Sequence, residues 1–249
     1  MFSKAAIAVL FLSLLGVTTA SPIPQANPAA PGAKVTPQIV VGAAPGSAGC
    51  DGSPACKTAA QAAPLIQAAF DKFGFNTPGE QAAILALMAF ETVDFKFDVN
   101  VSPGRPGQGS AYHPPPSHPA SDRRSRAYLF TARNMMTFPF IAKYALETPD
   151  VAGKVATIAP GISAAMSFDQ LNQTPPDTMN AVRALVLRDD LSFASAAWFL
   201  RTKCTPDIAT GLASATAVAW SRYMTVCVGT SDDPARLEGY RRALRAYGF

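Results

Sequence analysis

Glu91 stands where a carboxylate is expensive. It falls seven residues after Ile84, four after Leu87 and three after Met88, so a helix through this stretch puts it on the apolar stripe. Burying a carboxylate costs free energy unless it is paired or opens on a cleft. Its place in the last turn also sets it against the negative end of the helix dipole. Both effects raise its pKa, which is what a general acid near neutral pH requires. The structural alternative is a Glu that reaches solvent at the helix end or pairs with Arg105, Arg133 or Arg183.

Further polar groups follow closely. Asp94, Asp98 and Asn100 precede Pro103-Gly104-Arg105-Pro106-Gly107-Gln108-Gly109. That run cannot be helical and must turn sharply, letting backbone groups approach a ligand. It lacks the strand-then-helix setting of a nucleotide loop. The two histidines, His113 and His118, both lie in a Pro-rich stretch, where a solvated surface role is the default. Histidine-based triads and metal sites therefore have little to draw on, and no metal site is expected. Trp198 and Trp220, spaced helically among Ala and Phe, read as core aromatics. Tyr144 and Phe138 are the better candidates for stacking on a ligand. Arg236, Arg241, Arg242 and Arg245 read as a solvated helix face.

The elements that must hold these groups are helical. Lys57 to Phe73 is Ala-rich, with Leu65, Ala68, Ala69 and Lys72 on helical spacing. Thr77-Pro78-Gly79-Glu80 is a capping box with Pro at the first helical position, opening the helix that ends at Thr92. The pattern predicts further helices over Phe138–Thr148, Val151–Ile158, Met179–Arg188, Asp190–Lys203, Pro206–Cys227 and Pro234–Tyr247. Only Phe95–Val101 alternates like a strand, predicting at most a small β-hairpin. The expected class is mainly α (α+β).

The chain opens like an exported protein. Lys4, the apolar run Ala5 to Val17 and Thr18-Thr19-Ala20 form a secretory signal over 1–20, too short for a comfortable membrane span. Residues 21–48, rich in Pro, Ala and Gly, read as a linker or pro-segment. Residues 49–249 are long enough for one domain with a real core. Four cysteines in an exported chain suggest two disulfides. Three pairings are possible, and proximity favours Cys50–Cys56 and Cys204–Cys227. The spacings fit no common zinc pattern.

Residues 110–131, SAYHPPPSHPASDRRSRAYLFT, interrupt this order. The stretch is a loop of unusual length or a retained intron. Ser110-Ala111-Tyr112 admits codons with a splice-donor sequence, and Thr131-Ala132 admits codons with an acceptor AG. Setting aside Lys4 and this stretch lowers the formal charge from +4 to +1. That balance argues against nucleic acid as a partner.

The blocks Ala89-Phe90-Glu91-Thr92, the Gly-rich turn, Asn134-Met135-Met136 leading to Phe140-Ile141-Ala142-Lys143-Tyr144, and Leu191–Leu200 together resemble the lysozyme-like superfamily. Within it they look like lytic transglycosylases and plant-type chitinases, where a catalytic Glu closes such a helix. The chain is also similar to secreted fungal proteins of this fold that carry no activity assignment. The resemblance spans roughly Thr77 to Leu200. It implies a lysozyme-like helical domain and a secreted, extracellular, monomeric glycoside hydrolase cleaving a β-1,4-linked amino-sugar polymer such as chitin or peptidoglycan. Glu91 would be the acid, Asp98 or Asp94 its helper, and Gln108, Asn134 and Tyr144 the sugar contacts, with no cofactor. Asn100 stands where many relatives place a second carboxylate. The alternative is a non-catalytic secreted protein of that fold that binds glycan or acts on a host surface.

Overall fold

The computed structural model describes residues 34–98 and 136–249. The signal segment, residues 21–33, the stretch 110–131 and both histidines lie outside the described residues. Eleven α-helices run through the described part: α1 Pro37–Ala43, α2 Ala59–Phe73, α3 Pro78–Thr92, α4 Phe138–Glu147, α5 Pro149–Ile158, α6 Phe168–Asn172, α7 Pro176–Leu185, α8 Asp189–Lys203, α9 Pro206–Gly211, α10 Ala217–Arg222 and α11 Pro234–Ala246. Among the described residues there is no β-strand, so the protein is mainly α and the expected hairpin does not form there.

The helix starts follow local chemistry. Thr58 with Gln61 and Thr77 with Glu80 form capping boxes on α2 and α3, satisfying backbone N–H groups at each first turn. Asp233 caps α11 by accepting from the N–H groups of Ala235 and Arg236. α2 ends on Gly74 at φ 71°, a left-handed cap that suits glycine.

Two helices form the centre. α3 is buried on every side except at Phe90, and α8 is buried continuously from Leu191 to Leu200. A helix apolar all round belongs inside a protein rather than at its surface. α11 packs along α3, and α2 along α8. α4, α5, α6 and α7 pack on one another. They join the centre through Tyr144, whose hydroxyl donates to the Leu191 carbonyl at 2.7 Å, and through the Phe140–Phe199 edge contact.

Two boundaries and one burial differ from expectation. The ordered domain begins before residue 49, because α1 lies against α11 and α2 with Val35, Val40 and Ala43 buried. Thr36 caps α1, and its seven residues are too few to show a period. The helix expected over Pro206–Cys227 is broken at Ala215 (φ 54°) and finishes as a π-helical turn, Tyr223–Val228. Arg236 is buried in the first turn of α11 rather than solvated.

Disulfides join Cys50 to Cys56 and Cys204 to Cys227, leaving no free cysteine. No helix among the described residues is long and apolar enough to cross a membrane.

Candidate functional site

The C-terminal end of α3 collects the chemistry that the sequence singles out. Glu91 is 6 % exposed and faces α11, where Arg236 Nε lies 3.6 Å from its Oε1. The same guanidinium pairs with Asp233 and lies over the Phe90 ring, 4.6 Å from its centroid. Burial pushes the Glu91 carboxyl up to about 8; Arg236 opposes the shift and Asp233 adds to it. Two carboxylates thus share one guanidinium, and the more buried one keeps its proton at neutral pH.

After Thr92 the backbone turns left-handed for three non-glycine residues, Val93, Asp94 and Phe95, at φ 52°, 56° and 67°. Such a run stores strain. It is held by Thr92, whose hydroxyl accepts from the Phe95 N–H at 2.8 Å, and by the Asp94 N–H donating to Ala89 O at 2.8 Å. The Asp94 carboxylate accepts from the Gly46 N–H at 2.7 Å and so ties this turn to the 3-10 turn Pro45–Ala48. Asp98 lies within electrostatic reach of Arg183 on α7.

This arrangement is a locked joint rather than an open groove. Arg105 and Arg133, two of the partners expected for Glu91, lie outside the described residues, as do Asn100, Gln108 and Asn134. Its described cationic partner is Arg236, a residue assigned from sequence to a solvated face. Tyr144 is 1 % exposed and Phe138 is also buried, so neither offers a ring to a ligand. Trp198 and Trp220 are buried; Trp198 Nε1 donates to Glu147 at 2.7 Å.

A second feature carries no sequence motif. α5, the connection to α6, and α7 border an open cleft of about 410 Å³. Ile158, Ala159, Pro160, Ile162 and Met166 contribute apolar lining, and Gln170, Gln173, Thr174 and Thr178 supply amides and hydroxyls; among the described residues no ionisable one lines it. Lys143 on α4 fixes one wall by donating to the carbonyls of Ala164 and Met166 at 3.0 and 3.2 Å. Another cavity, of about 170 Å³ between α2, α5 and α8, is smaller and bordered by Lys72, Asp150 and Asp190.

Comparison with known proteins gives a different relative from the one expected. The chain is 33 % identical over 190 residues to a bifunctional dioxygenase–epoxy alcohol synthase of Fusarium oxysporum (strain Fo5176). That alignment takes in 76 % of this chain. It spans only 12 % of the Fusarium enzyme. No family model and no solved structure matches.

The lysozyme-like resemblance and the glycoside-hydrolase reading are therefore corrected. The relative found is an oxygenating enzyme, and the helix-end Glu is sealed against Arg236 instead of facing a glycan groove. The short motifs that suggested the superfamily are packing motifs: Ala89-Phe90-Glu91-Thr92 and Leu191–Leu200 belong to the two buried central helices. Oxygen insertion is chemistry that a cofactor supplies. The described residues hold no histidine, no free cysteine and no cluster of three metal-ligating side chains. They do not fit such a group.

Proposed function

We propose that this chain is an exported, monomeric binding domain whose α5–α7 cleft takes a small uncharged molecule with an apolar body and hydroxyl or epoxide oxygens. The observation that carries this reading is the cleft itself: about 410 Å³, lined by apolar side chains with a few amides and hydroxyls, and with no charge among its described lining residues. Small-molecule sites have this size and composition, and a few polar groups fix the ligand's orientation. An uncharged lining disfavours a carboxylate or an amine, because either would lose its hydration without gaining a partner. An epoxy alcohol, the compound class in the Fusarium enzyme's name, combines an apolar body with neutral oxygens.

Binding rather than turnover is favoured because acid–base chemistry needs a titratable group within reach of the ligand, and the described residues of this cleft offer none. Two disulfides suit an oxidising compartment outside the cell.

Calorimetric titration of the full chain with a medium-chain epoxy alcohol, and with the fatty acid of equal length, tests the reading. The neutral ligand should bind at least tenfold more tightly, and Ile162→Glu should weaken it about tenfold or more. Equal affinity for both ligands, no binding of either, or consumption of the epoxy alcohol would refute it.

A further inference from the structure

A second polar site lies in the core, away from the cleft. Trp220, Tyr223 and Tyr240 are each at most 1 % exposed. The indole of Trp220 stacks on the Tyr240 ring at 4.7 Å and 10° and meets Tyr223 edge-on at 6.0 Å. Trp220 Nε1, Tyr223 Oη and Tyr240 Oη have no hydrogen-bond partner in the protein. Tyr240 lies one turn along α11 from Arg236, and Tyr223 is within electrostatic reach of Glu91. Three unpaired polar atoms thus belong to one aromatic cluster, built from α10, the Tyr223–Val228 turn and α11.

Buried hydroxyl and indole groups are almost always paired, and when protein atoms do not pair them ordered water does. We propose that this junction is a built hydration site, in which bound water joins Trp220 Nε1–H and the hydroxyls of Tyr223 and Tyr240. The indole can only donate, whereas each phenol can donate or accept. Water, able to do both, is the smallest ligand that serves all three.

The test is nuclear magnetic resonance on the isotopically labelled full chain, with urea denaturation of isosteric variants. The Trp220 indole N–H should show a direct cross-peak to water with a residence time longer than nanoseconds. Tyr223→Phe and Tyr240→Phe should each lower the folding equilibrium constant about fivefold, the usual worth of a hydroxyl that is hydrogen-bonded when buried. A Trp220 indole with no water cross-peak overturns the proposal. So does a variant that folds more favourably than the parent, since removing an unpaired buried hydroxyl relieves a penalty.

Discussion

Arg236 Nε lies 3.6 Å from Glu91 Oε1, in a contact where both side chains are about 95 % buried and Asp233 competes for the same guanidinium. The folded Glu91 carboxyl titrates near 8, well above its ordinary 4.5, because burial outweighs Arg236. Between those values the native state holds a proton that the unfolded chain releases. Stability contributed by this residue is therefore full below about pH 4.5 and declines as pH rises towards 8, with a limiting slope of about 1.4 kcal/mol per pH unit. Urea denaturation at intervals from pH 5 to 9 measures the decline. Glu91→Gln keeps the shape, removes the titration and should flatten that part of the profile. A Gln variant with the parent's slope would show that the proton sits elsewhere.

Removing Arg236 asks the opposite question. Arg236→Met retains the apolar stem against Phe90 but leaves Asp233 and Glu91 facing each other without the cation. Breaking a buried pair from one side costs about 3–5 kcal/mol. Because Glu91 stays protonated below about pH 8, the loss should be at the lower end near pH 6 and grow as pH rises past 8. Calorimetric melting at pH 6 and pH 9 reads it.

What the sequence discloses about this joint, and what it hides, follows from the range of the interactions. The capping box of Thr77 and Glu80 is local and was legible from three residues of spacing. So was the preference for Cys50–Cys56 and Cys204–Cys227, which are near neighbours in the chain. The direction Glu91 faces was not legible. Stripe reasoning assumes one wet face, and α3 has none, so an apolar neighbourhood did not mean a groove. Its partner sits on α11, where Arg236 is one arginine among four and only the tertiary packing of α11 on α3 separates it from the solvated ones. The cleft was invisible for the opposite reason: Ile162, Met166, Gln170 and Thr178 carry no ionisable chemistry for a motif search to find.

The two disulfides should differ in what they contribute. Cys204–Cys227 closes a longer loop than Cys50–Cys56, 23 residues against six, and loop-closure entropy grows with length. On that scale, replacing Cys204 and Cys227 with Ala should cost about 3 kcal/mol and replacing Cys50 and Cys56 about 2 kcal/mol. Chemical denaturation of the two double variants ranks them. A larger loss from the shorter loop would place the stabilisation in native packing around Cys56 rather than in the unfolded chain.

Val93 is a β-branched residue held at φ 52°. A left-handed conformation costs an L-residue about 1–2 kcal/mol, a penalty that glycine escapes. Val93 is only half-buried, so little apolar burial is lost with its side chain. Val93→Gly should stabilise the fold by about 0.5–1 kcal/mol after the extra entropy of an unfolded glycine is counted. Destabilisation in equilibrium unfolding would mean that the valine side chain packs well enough to outweigh the strain.

Gly79 and Gly153 offer one substitution with two opposite outcomes. Both lie inside helices, α3 and α5, where Gly→Ala ordinarily gains about 1 kcal/mol. At Gly153 an added Cβ meets nothing within 4 Å, so the gain should be realised. At Gly79 the added Cβ would stand 2.3 Å from the carbonyl oxygen of Leu212, with further backbone of Ala213 and Ala215 at 3.2 Å. No side chain can swing away there, and α3 would have to retreat from the 3-10 turn Leu212–Ser214. Overpacking of this kind costs about 1–3 kcal/mol or more, enough to reverse the sign. Gly153→Ala should therefore raise the melting temperature and Gly79→Ala lower it. Two shifts in the same direction would contradict the close approach of α3 to the Leu212 turn.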